Sequence, residues 1–457
     1  MEKLARDVKA LEDQLAICTR CGMCQANCPI YAKTRQESDV SRGKLALIKG
    51  LIDQVFDDAK GVNQRINRCL LCGSCSYKCP SNVDTVQIIL KARSIINQYL
   101  GLSLAKKIIF KNLLANPRTF NRLMEAAAPF QKLAFKQEKN SQGTSCARIA
   151  SPLLRHRHMV PLSNTPFSSQ INEMDFREKG KGLRVAFFTG CLIDKVFPNI
   201  AHSVMDVLTH FKARVFIPEN QGCCGIPALA SGDMKTFKKL LAFHVNLFSA
   251  RDFDYLVTAC ATCSSTIINL WPTLLQGQGI NDPGIGKLLE KAAVIAEKTV
   301  DISWLMAKRF DISSPFKEKP YPQETGLKET DTKEISPKEI SPQETITYHD
   351  PCHLKKSLGV FEEPRQVIKA CGKNLVEMAA PDQCCGMGGS FNLDHYDLSA
   401  LIGEDKALDI MDTGCSTVAT SCPACIMQIS DMLARQNSRI RVKHPVEIYG
   451  EQLKNRE

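Results

Sequence analysis

Cys18, Cys21, Cys24 and Cys28 are spaced C-x2-C-x2-C-x3-C and followed by Pro29; Cys69, Cys72, Cys75 and Cys79 repeat the spacing and are followed by Pro80. Three closely spaced thiolates can grip three corners of an iron–sulfur cubane. Where a chain carries two such runs, the fourth cysteine of each ligates the other cluster. The spacing therefore assigns one [4Fe-4S] cluster to Cys18, Cys21, Cys24 and Cys79, and a second to Cys69, Cys72, Cys75 and Cys28. Structural zinc is the competing use of C-x2-C pairs. Two complete four-cysteine runs, each closed by a proline, favour iron–sulfur.

Ten further cysteines form two sets of five. Cys191, Cys223, Cys224, Cys260 and Cys263 make the first, and Cys352, Cys384, Cys385, Cys422 and Cys425 the second. Cys352 stands 161 residues after Cys191, Cys384 and Cys385 stand 161 after Cys223 and Cys224, and Cys422 and Cys425 stand 162 after Cys260 and Cys263. Near-constant offsets at five positions indicate an internal duplication. Five thiolates exceed what one cubane needs, so each set reads as a metal site with a ligand to spare. Bare structural or redox thiols are the alternative. Cys146, Cys371 and Cys415 have no partners at metal spacing and read as ordinary thiols.

The elements that carry these cysteines alternate. Leu183–Thr189, Val215–Pro218 and Tyr255–Thr258 read as buried parallel strands, separated by helical stretches Phe197–Lys212 and Met234–Ala250. Thr345–His349, Leu375–Met378 and Thr417–Thr420 repeat the strands. Each cysteine group follows a strand, at the carboxyl edge where open α/β sheets bind ligands. The expected fold is an α-helical two-cluster module followed by two duplicated α/β, Rossmann-like lobes packed pseudo-symmetrically. The expected bounds are 1–140 for the helical module, 141–180 for an extended linker, 181–312 and 345–457 for the lobes, and 313–344 for a Pro/Lys/Glu-rich insertion too poor in apolar residues to fold alone.

The chain has 457 residues, 44% of them hydrophobic, and a net charge of +11. Its odd complement of 21 cysteines, grouped at metal spacings, points to a reducing cytoplasm. The start of the chain reads as an amphipathic helix and not as a secretory signal. Apolar runs fall short of the ~18 residues that a membrane span needs. Residues 86–140 hold ten Lys or Arg against two Glu, with apolar residues at helical spacing. Such a segment suits an anionic lipid surface or an acidic partner, or packs as a solvated face on its own domain. Nucleic acid is disfavoured, because stacking aromatics are not interleaved with the charges.

The order of a two-cluster ferredoxin-type module and two C…CCG…C-x2-C domains resembles the iron–sulfur subunit of glycolate oxidase and related D-lactate dehydrogenase subunits. The five-cysteine domains are similar to those of heterodisulfide reductases. Ser41-Arg42-Gly43-Lys44 and Asp350-Pro351-Cys352-His353 also look like that family, while the 313–344 insertion departs from it. The resemblance implies one or two further [4Fe-4S] clusters in the lobes, cubane or non-cubane, with zinc the alternative. His353 and Asp350 would serve as fold-stabilising hydrogen bonders or proton carriers. Gly386–Gly389 lack the order of a dinucleotide fingerprint and would let backbone N–H groups reach cluster sulfur.

No flavin or nicotinamide fingerprint, catalytic triad or phosphate loop is evident in the sequence, so one-electron transfer is the chemistry to expect, with a flavin on a partner. The resemblance implies an electron-transfer subunit of a hetero-oligomer. It would take electrons from an FAD-containing 2-hydroxy-acid dehydrogenase subunit, for glycolate or lactate, and pass them toward quinone. It would be cytoplasmic and peripheral on the inner membrane face. Three alternatives remain: reduction of a disulfide at a lobe cluster, the iron–sulfur subunit of an anaerobic glycerol-3-phosphate dehydrogenase, and a zinc-stapled scaffold without redox function.

Overall fold

A computed structural model describes residues 1–131, 135–137, 145–147, 157–171, 174–175, 182–273, 283–316 and 344–456. Half of the expected linker and nearly all of the 313–344 insertion lie outside these residues, as does the side chain of Cys146.

The N-terminal part is helical. Leu4, Val8, Ile48, Leu51, Val62, Ile66, Ile89 and Ile96 are buried together between helices Glu2–Val8, Ser41–Ile52, Ala59–Asn67 and Thr85–Leu100. Asp58 and Asp84 start the latter two by accepting the N–H groups of Gly61 and Gln87 at 2.7 and 3.1 Å, the arrangement that satisfies orphan donors of a first turn. Gly101, at φ +80°, ends the long helix.

Three short strands β1 (Phe135–Gln137), β2 (Ser145–Ala147) and β3 (His158–Met159) form a small antiparallel sheet. The described parts of 141–180 are thus not an extended tether. Phe167 is buried in the core, Ser168 donates to Asp194, and Arg157 donates to the Asn392 carbonyl at 3.0 Å. Burial of an aromatic ring and a guanidinium outweighs the Ser, Gly and Pro content that suggested a free linker.

Two four-stranded parallel sheets follow. β4 (Arg184–Phe187), β5 (Arg214–Phe216), β6 (Tyr255–Thr258) and β7 (Thr299–Asp301) run in the order β5-β4-β6-β7. β8 (Thr345–Tyr348), β9 (Asn374–Leu375), β10 (Thr417–Ala419) and β11 (Arg441–Lys443) run in the same order, β9-β8-β10-β11. Each sheet has one strand more than the sequence reading provided. β7 and β11 hold three residues each and lie between longer helices, so no alternating pattern marks them.

Helices Pro198–His210 and Pro445–Lys454, one from each α/β unit, pack against each other. The N–H of Ala261 donates to the Ser421 carbonyl at 3.0 Å, beside both C-x2-C pairs. Arg93 joins the helical part to the first α/β unit. Its guanidinium donates to the carbonyls of Ala230, Ile66 and Cys69 at 2.7, 2.9 and 2.8 Å. Arg93 is therefore internal and does not belong to a basic surface.

Lys106, another of the ten basic residues, pairs with Asp394 at 2.7 Å. Lys111, Arg118 and Arg122 are exposed. The apolar residues between them divide: Phe110 and Leu114 are buried, whereas Leu104, Ile108, Ile109, Leu123 and Phe130 stay open, Leu104 at 77%. Among the described residues no helix is long and apolar enough to cross a membrane.

Candidate functional site

Cys18, Cys21, Cys24 and Cys79 line one pocket at the edge of the helical part, together with Cys75. Cys28 lies among Cys69, Cys72 and Cys75, whose negative charges act on one another. Each run's fourth cysteine thus stands near cysteines of the other run. Local backbone explains it. Gly22 and Gly73, at φ +87° and +71°, let the chain turn back between cysteines of each run. Pro29 opens a helix whose cap is Cys28, and the Tyr31 N–H points to Cys28 Sγ at 3.5 Å; Val83 N–H does the same for Cys79.

The tetrapeptide Ser41–Lys44 serves both groups. Arg42 lies by Cys24 and pairs with Glu37 at 2.7 Å. Lys44 is buried, donates to the Asp39 carbonyl and has Cys69 and Cys28 nearby. Gly43 is required between them, since a Cβ there would fall 1.9 Å from the Glu37 carbonyl oxygen. Burial pushes the Cys28 and Cys75 thiols up to about 11 and about 12. Cations in this region offset the negative charge that thiolate ligands would bring.

All ten lobe cysteines line a single cavity of about 710 Å³ where the helical part and both α/β units meet. The strands present them as expected. Cys191 follows β4, Cys223 and Cys224 follow β5, and Cys260 caps the helix after β6. Cys352, Cys384, Cys385 and Cys422 occupy the matching places in the second unit.

The sulfurs form an unbroken series of neighbours. Cys72 contacts Cys384. Cys384 contacts Cys385, which lies 3.4 Å from Cys425, and Cys425 contacts Cys422. Cys422 meets Cys260 across the two units. From there contacts run through Cys263, Cys224 and Cys223 to Cys191. Hydrogen bonds from flanking thiols hold Cys224, Cys385 and Cys422 well below the ordinary thiol range. The same bonds, with burial, hold Cys223, Cys384 and Cys425 well above it. So many buried sulfurs cannot all ionise side by side without compensating cations. The donor set and the room around it fit metal–sulfur centres.

His353 and Lys356 line the cavity as well, and Asp350 stands next to it in the chain. His353 places Nδ1 3.1 Å from Thr262 Oγ1 and Nε2 3.3 Å from the Leu71 carbonyl, so it ties the three parts together. Asp350 is held by Arg365 at 2.7 Å and Lys355 at 2.9 Å. Both therefore act as bonded struts. Lys356, which sequence reasoning missed, donates to Ser74 and to the Asp382 carbonyl at 2.8 Å. Burial alone would lower its pKa; Cys352, Cys72 and Cys384 around it raise it instead.

The Gly386 N–H points to Cys384 Sγ at 3.5 Å. Gly388 has a different reason: a Cβ there would meet Leu70 at 2.5 Å, so it admits the helical part. Cys371 and Cys415 are buried, with thiols directed at the carbonyls of Val367 and Ile410.

Residues 14–83 match the 4Fe-4S dicluster domain, and residues 185–268 and 346–430 each match the cysteine-rich (CCG) domain. The chain is 27% identical over 449 residues to the "Probable glycolate oxidase iron-sulfur subunit" of Bacillus subtilis, covering 95% of this chain and 93% of that one. The chain thus carries a 4Fe-4S dicluster domain followed by two CCG domains, and it is similar along nearly its whole length to an iron–sulfur subunit of that kind. It is 26% identical to an uncharacterized iron–sulfur protein of Methanococcus maripaludis, over 94% of this chain and 69% of that protein. It is also 26% identical to lactate utilization protein A of an Exiguobacterium species, over 59% of this chain and 98% of that protein. The dicluster-domain match agrees with iron–sulfur as the use of the N-terminal cysteine runs.

Proposed function

We propose that this chain is the electron-transfer subunit of an oxidoreductase complex. It would take electrons from an FAD-dependent 2-hydroxy-acid dehydrogenase subunit, for glycolate or lactate, and deliver them toward quinone. The observation that carries this reading is the unbroken series of sulfur neighbours from Cys72 to Cys191. Neighbouring ligands keep successive redox centres close.

In this reading Cys18, Cys21, Cys24 and Cys79 hold one [4Fe-4S] cluster, and Cys69, Cys72, Cys75 and Cys28 a second. The two five-cysteine sets hold one or two more. Bound clusters would supply reversible one-electron oxidation and reduction. The residues of this chain fix the spacing of those ligands, surround them with Lys44, Arg42 and Lys356, and exclude water by burial. The open apolar residues at 104–130, bordered by Lys111, Arg118 and Arg122, form the surface for the membrane or a partner subunit.

Anaerobic iron, sulfide and zinc analysis joined to low-temperature EPR during stepwise reduction tests the reading. About twelve to sixteen iron per chain, with signals beyond the two N-terminal centres, is the expected result. About eight iron, with zinc or bare thiols in the lobes, would end the path at Cys72 and refute it.

One observation favours a second reading, reduction of a disulfide. Both five-cysteine sets, His353 and Lys356 face the same cavity, so a sulfur substrate entering it would meet both. Cleavage of a heterodisulfide by the isolated protein with reduced viologen would establish that activity.

A further inference from the structure

His349 is fully buried, no geometrically complete hydrogen bond reaches either ring nitrogen, and the Cys385 sulfur lies near enough to feel the ring. A fully enclosed imidazole whose polar neighbour is a sulfur calls for an explanation. Its ring nitrogen and the sulfurs of Cys385 and Cys425 all lie within 4.8 Å of one another. The ring therefore points into the sulfur cluster of the second lobe and not into the apolar core.

The first lobe shows what the fold itself requires at this place. Phe188 stands 161 residues before His349, the same offset as the cysteines. The two residues make the same backbone bond: Phe188 N–H to the Val257 carbonyl at 2.8 Å, and His349 N–H to the Ala419 carbonyl at 2.9 Å. Phe188 fills its site with apolar contacts to Phe248 and Trp271. The position accommodates a hydrocarbon ring, so imidazole at 349 is not imposed by packing.

We infer that His349 is a nitrogen ligand of the metal centre in the second lobe, which makes that centre a mixed cysteine–histidine site and the first lobe's an all-cysteine one. The inference rests on the reading of the second five-cysteine set as an iron–sulfur site. Six donors then surround the second centre: His349, Cys352, Cys384, Cys385, Cys422 and Cys425. Replacing an anionic thiolate by a neutral imidazole leaves less negative charge on a cluster and raises its reduction potential. Of two centres built on one duplicated fold, the second would thus be the easier to reduce, and the pair would have a direction.

The test is pulsed EPR on the native, anaerobically reduced protein, prepared once with natural-abundance and once with 15N-labelled histidine. One signal is expected to carry the strong coupling of a directly bound imidazole nitrogen and to change with the label. That signal should be the one lost in Cys385→Ser while the N-terminal signals persist. In His349→Phe, which installs the first lobe's own residue, the coupling should vanish.

A Cys385-dependent signal with no histidine coupling, or only the several-fold weaker coupling of a hydrogen-bonded ring, overturns the assignment and leaves the cluster in place. If no signal depends on Cys385, the iron–sulfur reading of this lobe fails and the assignment falls with it. Because the decisive spectra come from the native protein, the outcome does not depend on a variant folding.

Discussion

Cys72 and Cys384 touch although one belongs to the N-terminal cysteine run and the other to the second CCG domain. The Cys384 thiol, helped by Lys356 and Ser74, holds Cys72 down to about 5 against the burial that opposes it. The contact brings a cysteine of the second lobe directly against the second N-terminal run.

Removing this contact should therefore be felt across the boundary. In Cys384→Ala, which takes away a second-lobe ligand that touches Cys72, the midpoint potential of the centre held by Cys28, Cys69, Cys72 and Cys75 is expected to shift, because charge and sulfur contacts around a cluster set its potential. The centre at Cys18, Cys21, Cys24 and Cys79 should keep its potential. An EPR-monitored redox titration in which both centres move equally, or neither moves, would contradict this order.

Cys224→Ser and Cys385→Ser address the lobes separately. Each is expected to remove about one cluster's worth of iron, roughly four atoms per chain, while the spectra of the N-terminal centres persist. Unchanged iron in either variant would show that the lobe concerned holds none.

Lys356 carries the cation nearest to Cys72, Cys352 and Cys384. A positive charge at this depth favours an added electron by on the order of 1–3 kcal/mol. Lys356→Gln should then lower the potential of the adjacent centres by some tens of millivolts or more, with iron content unchanged. Lys356→Arg should restore most of the shift. A Gln variant with native potentials would reduce Lys356 to a strut for Ser74 and Asp382.

The open face at Leu104, Ile108 and Leu123 can be charged without disturbing the core, since all three side chains are exposed. Ile108→Glu combined with Leu123→Glu should weaken association with anionic vesicles or with the partner subunit about tenfold or more, and leave iron content intact. Added salt should weaken the native association, through Lys111, Arg118 and Arg122. Native binding by the double variant would remove this face from the assembly.

Asp301 gives the fold a pH dependence. It caps the helix Ile302–Arg309 by accepting the Ser303 N–H at 2.8 Å, while its Oδ2 is buried without a partner. Burial pushes the carboxyl up to about 7. A folded pKa above the unfolded value of about 3.9 means that the stabilisation is complete below that value and is lost as pH rises toward 7. Asp301→Asn does not titrate. Its apparent unfolding midpoint should gain on the native protein between pH 4 and 7, by on the order of 4 kcal/mol in stability, and then level off. A constant difference across that range would show that the carboxyl is ionised throughout.

Much of this was legible in the residues. The cysteine spacings suggested which sulfurs group together, because C-x2-C fixes how far apart two ligands on one turn can lie. The 161-residue offset gave the duplication, and strand–cysteine alternation placed each group at a sheet edge. His349 was missed as a site residue. It ends a strand that reads as buried, and only its pairing with Phe188 through the offset marks an imidazole where the fold asks for a hydrocarbon ring. Lys356 and Arg93 were equally opaque, since a lone basic residue on a helix reads as solvated until the carbonyls or thiols around it are known.

The sequence by itself determined the local chemistry: which thiols form each set, what turns present them, and that two lobes repeat one plan. Those features depend on contacts within some tens of residues, where chain geometry restricts what can meet. Only the tertiary structure decided that all ten lobe cysteines open on one cavity, that Cys260 meets Cys422, and that Cys72 reaches Cys384. These pairings join segments more than a hundred residues apart. They follow from how three separately folded parts bury their remaining apolar faces, which no spacing along the chain encodes.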